Sequence, residues 1–294
     1  LLEEQLVAKF TTVLHEFCKD NEILLTISMT TNGLIANKSL LEKLYQNSLT
    51  CVQVTFDGPK EMNNRRRRSR NISVKDPYTT ILKNLNTFLS IFDTVNIKYN
   101  FDKQNLDEFD IFLNDLEVVQ PQYIGKIVIL VEAIQGTHNS HYSYNYRNTD
   151  EELAKAYITI ISKLVDANIK YRSKIFNTPC MATAPNSFLI DPDGNCSCCI
   201  SNFQKNELFI GNFSQVTRSK SLSTRAEMNR LDLLRSHCRN CDFLAGCWGG
   251  CLYELSVNGK ECTKNVNCRK NFFEKAVDLF YHEIYLKKGV DKID

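Results

Sequence analysis

Ten of the twelve cysteines lie between Cys180 and Cys268, and this uneven distribution constrains the chain more than any other feature. Only Cys18 and Cys51 precede them. A secreted disulfide scaffold would be short and loop-rich throughout. Here a core-rich half comes first and carries no export signal, so metal ligation in a reducing compartment, the cytoplasm, fits better. The sharpest run is Cys238-x2-Cys241-x5-Cys247-x3-Cys251, preceded by Cys180 and by Gly194-x4-Cys199, and followed by Cys268. Soft thiolates at short intervals suit zinc or iron–sulfur ligation. Gly246, Gly249 and Gly250 let the backbone wrap closely around such a centre. Four cysteines complete one structural zinc site, so a lone zinc ribbon leaves most of the ten unexplained.

The first half alternates between two periodicities. Leu2, Leu6, Phe10, Val13, Leu14 and Phe17 recur at helical spacing, and an apolar strand at 23–28 then runs towards Thr31-Asn32-Gly33. A helix at 39–45 and a strand at 51–56 follow. Asp76 and Pro77 form a cap with a proline suited to the first turn, ahead of an apolar face of Tyr78, Ile81, Leu82, Leu85, Phe88 and Leu89. A strand at 94–101, a helix at 106–116, a strand at 126–133 and a long helix at 151–167 close the unit. Strand–helix alternation with apolar strands predicts an α/β fold with a parallel sheet covered by helices. The chain opens in a helix with no strand before it, which predicts at least one further strand upstream of Leu1 and makes this the later part of a partial (β/α) barrel. The rhythm changes near residue 169, giving a division into 1–168 and 169–294. In the second part, 187–197 reads as a hairpin around Asp191-Pro-Asp-Gly194, 225–235 as a short helix, and Cys268 as the opening of a last helix. A net charge of +2 gives no argument for nucleic acid or a membrane surface. No stretch approaches the ~20 apolar residues of a membrane span.

The seven cysteines Cys180, Cys199, Cys238, Cys241, Cys247, Cys251 and Cys268, in that order and spacing, resemble the SPASM domain of radical S-adenosylmethionine enzymes. Upstream, Thr31-Asn32-Gly33, Thr55-Phe56-Asp57-Gly58-Pro59 and Asn100-x-Asp102-Lys103-x-Asn105 resemble successive strand-end motifs of the radical domain. The resemblance implies two auxiliary [4Fe–4S] clusters in a small cysteine-rich α+β SPASM domain. Cys180, Cys199 and Cys251 would serve the first; Cys238, Cys241, Cys247 and Cys268 would serve the second. The first takes a fourth ligand from Cys196 or Cys198 or keeps an open iron that could touch substrate, and Cys262 competes with Cys268. The Cys-x3-Cys-x2-Cys motif for the cluster that reduces S-adenosylmethionine is absent, as is a Gly-Gly-Glu-Pro motif. Both are expected upstream of Leu1, so the chain as given is expected not to cleave the cofactor.

The resemblance makes Thr55 a contact to the polar end of S-adenosylmethionine, with Asn32 and Asp57 beside it; the plainer reading of Asp57-Gly58 is a turn. Arg65 to Arg68 form a basic run, ordinarily a solvated loop, but family members place an arginine about where Arg67 falls, to pair with the cofactor carboxylate, and which of the four does so stays open. Sulfatase-maturating members carry an aspartate immediately after the equivalent of Cys199, where this chain has Ile200. The loop from His141 to Arg147 follows a strand and reads as either exposed or substrate-facing. The implied activity is a peptide or protein maturase: a 5′-deoxyadenosyl radical takes hydrogen from a peptide, and an auxiliary cluster accepts an electron as a thioether, carbon–carbon bond or oxidised residue forms. A peptide or protein substrate and a small electron-donor protein are the implied partners. A non-catalytic peptide-binding relative and a zinc-ribbon interaction module are the alternatives.

Overall fold

A computed structural model describes residues 4–67, 74–134, 150–173, 181–182, 184, 186–200, 209–215, 238–247 and 268–286. The chain divides into two compact units: Leu1–Lys174 with Ala276–Asp294, and Ile175–Lys275.

The first unit is a parallel sheet of five strands in the order β1 (Ile27–Thr31), β2 (Leu49–Phe56), β3 (Thr94–Phe101), β4 (Ile127–Ala133) and β5 (Lys170–Ser173). Four of these strands are legible in the sequence; β5 extends the sheet beyond residue 169. The connecting helices are α1 (Glu4–Asp20), α2 (Lys38–Gln46), α3 (Lys60–Arg66), α4 (Pro77–Ile91), α5 (Phe109–Asp115) and α6 (Asp150–Asp166). Asp76 caps α4 as expected, accepting from the Thr79 amide at 3.1 Å and its hydroxyl at 2.7 Å.

Alternation along the strands sends two different sets of side chains to the two faces. Val52, Val54 and Phe56 of β2, Val95, Ile97, Tyr99 and Phe101 of β3, and Ile127, Ile129 and Val131 of β4 are at most 1% exposed. They meet the helices: Phe56 touches Tyr78 and Phe112, Tyr99 touches Phe109 and Phe112, and Phe101 touches Tyr157. Burial of each such side chain contributes about 1.5–3 kcal/mol. The opposite face carries Ser28 and Thr30, Cys51, Gln53 and Thr55, Asn96, Lys98 and Asn100, Val128, Leu130 and Glu132, and Lys170 and Arg172. Apart from the buried Thr55, these are half-exposed or exposed. Parallel sheets normally bury both faces. Among the described residues of this unit, only one face is covered.

The α1 helix departs from its sequence pattern in orientation. Its apolar stripe, Leu6, Phe10, Val13 and Phe17, is more than half exposed, while Thr11 and Cys18 are buried. The helix docks on α2 and its flanks through polar groups instead: His15 with Ser48 at 2.9 Å, Asn47 donating to Thr12 at 2.8 Å, and Asn37 donating to Glu4 at 3.0 Å.

In the second unit β6 (Leu189–Ile190) and β7 (Asn195–Ser197) form the expected hairpin, and a third antiparallel strand, β8 (Phe209–Asn212), joins β7. The Asp191 carboxylate closes the turn, accepting from the Asp193 and Asn195 amides at 2.9 and 2.8 Å. Gly194 takes φ of +81° there, a conformation that costs glycine little. Ala182, Cys196, Cys198 and Ile210 form a buried cluster behind the strands. A short helix, Leu244–Cys247, lies in this unit, as does the start of the last helix, Lys270–Phe280, up to Lys275. The helix expected at 225–235 lies outside the described residues.

Candidate functional site

Two regions carry chemistry, one in each unit. In the first, loops at the C-terminal ends of β1, β2 and β3 hold a dense polar network. Asn32 and Gly33 follow β1, and the Asn32 side chain accepts from the Leu34 amide at 3.1 Å. Gly33 has φ of +74°, and a Cβ there would stand 2.8 Å from Val54 and 2.9 Å from Ile81, so the turn requires glycine. Thr55 is 5% exposed near the end of β2, on the open face of the sheet. Two residues on, the Asp57 carboxylate accepts from Arg67 Nε at 2.5 Å and from Asn100 Nδ2 at 2.6 Å. Its backbone amide donates to Asn63 at 2.9 Å. The structure therefore joins Asp57 and Arg67 directly and places Thr55 on the same strand end, with Asn32 at the tip of the neighbouring strand.

Arg66, one position from the expected arginine, has a different task. It donates to the Asp57 carbonyl at 3.0 Å, to Gln104 at 3.2 Å and, in a short contact, to Asp102. The Asp102 side chain is fully buried. Asn105 completes the arrangement, donating to the Asp57 and Asn100 carbonyls at 3.3 and 3.1 Å. Arg66 thus pins the loop after β3 to the loop after β2. Arg65 is exposed and touches only the Met62 sulfur at 3.5 Å, while Arg68 lies outside the described residues. In the sequence Arg66 stands out only as one of the four-arginine run, and the Lys98–Glu132 ion pair, which spans 2.5 Å on the open face, does not stand out at all. The signal for Lys98 and Asn100 was their alternation with Ile97, Tyr99 and Phe101 in an otherwise apolar strand.

In the second unit, Cys238, Cys241 and Cys247 lie in one tight segment. Its turns are closed by the Cys241 amide on the Cys238 carbonyl at 3.2 Å, Leu244 on Cys241 at 3.0 Å and Cys247 on Phe243 at 2.8 Å. Phe243 stacks on Phe273 with ring centres 5.8 Å apart, which brings the start of the last helix, and hence the segment of Cys268, beside them. Four soft donors on two joined segments suit an iron–sulfur cluster. Among the described residues, no three His, Cys, Asp or Glu side chains already stand at metal-holding distances. Cys199 is 7% exposed, and Cys196 and Cys198 are at most 1% exposed. Burial pushes the Cys196 thiol up, and the nearby Asp191 charge adds to this. Ile200 is 65% exposed. Cys180, Cys251, Cys262 and the loop from His141 to Arg147 lie outside the described residues.

No family model and no curated protein matches the chain in sequence. Solved structures do match in fold. The structure of anSMEcpe with bound AdoMet and Kp18Cys peptide superposes with a TM-score of 0.66 at 18% identity, over 94% of this chain and 81% of that one. Streptococcus suis SuiB bound to S-adenosylmethionine gives 0.60 at 14% identity, over 84% of this chain and 59% of that one. SuiB bound to its precursor peptide SuiA gives 0.58 at 14%, over 84% and 58%. The chain shares the fold of these structures. The five strands form the wall of a partial barrel whose inner face is bare among the described residues, and ligands of open α/β sheets gather at strand C-terminal ends. Asn32, Thr55, Asp57 and Arg67 stand at those ends. Among the described residues, no helix is long and apolar enough to cross a membrane.

Proposed function

We propose that this chain is part of a radical S-adenosylmethionine maturase that modifies a peptide or protein. The observation that carries the reading is the shared fold over 94% of the chain with a protein whose structure holds AdoMet and a peptide. In this reading Asn32, Thr55, Asp57 and Arg67 surround the polar end of the cofactor. Asp57 holds Arg67 through Nε, which leaves the terminal nitrogens of the guanidinium to meet a carboxylate. Arg66 keeps Asp57 in place by clamping its carbonyl to the loop after β3. Cys180, Cys199 and Cys251 ligate one auxiliary [4Fe–4S] cluster, with Cys196 or Cys198 as its fourth protein ligand. Cys238, Cys241, Cys247 and Cys268 ligate another, with Cys262 as the competitor for the last place. A third such cluster, bound elsewhere in the complete protein and reduced by a small electron-donor protein, supplies the electron that cleaves S-adenosylmethionine and starts hydrogen abstraction from the peptide.

The test is anaerobic reconstitution followed by iron, sulfide and zinc analysis. A brown protein with two clusters' worth of iron supports the reading, and Cys238→Ala or Cys241→Ala should remove about half of that iron, because each cluster has its own ligand set. A colourless, zinc-loaded protein overturns it in favour of a zinc-ribbon module.

A further inference from the structure

The open face of the sheet has an uneven charge. Register places Thr55, Lys98, Leu130 and Arg172 in one row across β2 to β5, and Gln53, Asn96, Val128 and Lys170 in the row before it. Tyr171, between the two cations, pairs with Ile129 and faces the helices, so Lys170 and Arg172 belong to the open side. Lys98 is balanced by Glu132 at 2.5 Å. Among the described residues, Arg172 and Lys170 form neither an ion pair nor a hydrogen bond, whereas Lys98 and Glu132 pair with each other. Two uncompensated positive charges therefore stand on the half of the face furthest from Asn32 and Gly33.

Burial raises the Cys51 thiol, and the Arg172 charge opposes that rise together with a hydrogen bond from Asn96 at 3.1 Å. An unpaired guanidinium presents its donors in a planar fork that matches a carboxylate. The network around Asp57 lies in the loops after β2 and β3, whereas Arg172 is on β5.

We propose that Arg172, assisted by Lys170, binds an acidic side chain of the peptide substrate on the β4–β5 half of the open face. The assignment rests on the reading of this unit as a peptide-modifying barrel wall. It adds a preference, for peptides with Glu or Asp near the modified position, and the residue that exerts it. Lys98–Glu132, already paired, separates this subsite from the Asp57 end.

The test uses calorimetric titration of the 294-residue chain with an N-acetylated, C-amidated Gly-Glu repeat peptide and its Gly-Gln counterpart at low salt. The wild-type chain should bind the glutamate peptide about tenfold more tightly, the scale of one charge-assisted hydrogen-bonded contact. Arg172→Met should bring the ratio close to one with unchanged circular dichroism and melting, and Arg172→Lys should retain part of it. Equal binding of both peptides by the wild type, or an unchanged ratio in Arg172→Met, overturns the proposal. A second arm compares S-adenosylmethionine with its decarboxylated form. If Arg172→Met abolishes that discrimination instead, the carboxylate belongs to the cofactor and the peptide assignment is wrong. Failure of iron uptake would count against the cluster reading alone, because peptide discrimination is measured without it.

Discussion

Four consecutive arginines cannot be told apart by composition, and their roles here are set by what each meets. Arg66 faces a carboxylate, Asp102, whose side chain has no exposure, whereas Arg67 is 31% exposed beside Asp57. Removing one partner of a buried pair leaves a charge without compensation, which costs about 3–5 kcal/mol; an exposed pair contributes about 0–1 kcal/mol. Arg66→Met is therefore expected to lower unfolding stability in urea by several kcal/mol, and Arg67→Met by about 1 kcal/mol or less. Equal losses in the two variants would refute this division of roles. Neither the Asp57–Arg67 nor the Arg66–Asp102 pairing was legible in the sequence, since they join positions 10 and 36 residues apart in loops without a local pattern. Asp76 offers a pH signature. Burial alone would raise its carboxyl, but hydrogen bonds from Lys60, Asn64 and Thr79 outweigh that and hold it below the usual carboxylate range. A depressed folded-state value means that its stabilisation is complete above the unfolded value of about 3.9 and is lost as pH falls below it. Wild-type stability should thus decline more steeply below about pH 4 than that of Asp76→Asn, as followed by urea titration at each pH.

At the scale of elements, the strands and the helices packed on them were legible because their buried positions are continuous and apolar: all six residues marked as the inner face of α4 are buried. The α1 helix was legible as a helix but not in its orientation, because periodicity gives a stripe and never says which way it turns. Two strands escaped notice. Lys170 to Ser173 places two cations in four residues, and Phe209 to Asn212 is short and contains Gly211, so neither has an apolar pattern to detect. The turn after β1 can be tested through Gly33. A methyl group there meets Val54 and Ile81 closer than 3.0 Å and must adopt a positive φ, so Gly33→Ala should cost about 1–3 kcal/mol by thermal or urea unfolding. If the cost is near zero, the turn is not as tight as described.

At the scale of the whole molecule, the stripe of Leu6, Phe10, Val13 and Phe17 presents a large apolar patch on the 294-residue chain. Patches of this kind promote association. The chain should show concentration-dependent self-association in light scattering after gel filtration, relieved by Leu6→Glu with Phe10→Glu; an unchanged mass distribution in the double variant would contradict this. The close spacing of Cys238, Cys241 and Cys247 was legible in the sequence, and the three fall in one tight segment. The Phe243–Phe273 stack that joins this segment to the last helix was not legible, because aromatic contacts across 30 positions leave no local pattern. The bare face of the sheet has one more consequence. Neighbouring residues of β3 answer to different selection: Ile97, Tyr99 and Phe101 to packing, Asn96, Lys98 and Asn100 to whatever lies against the wall. Tolerance to substitution should therefore alternate residue by residue along the strand, and a saturation scan scored for abundance and for ligand binding would separate into two interleaved halves.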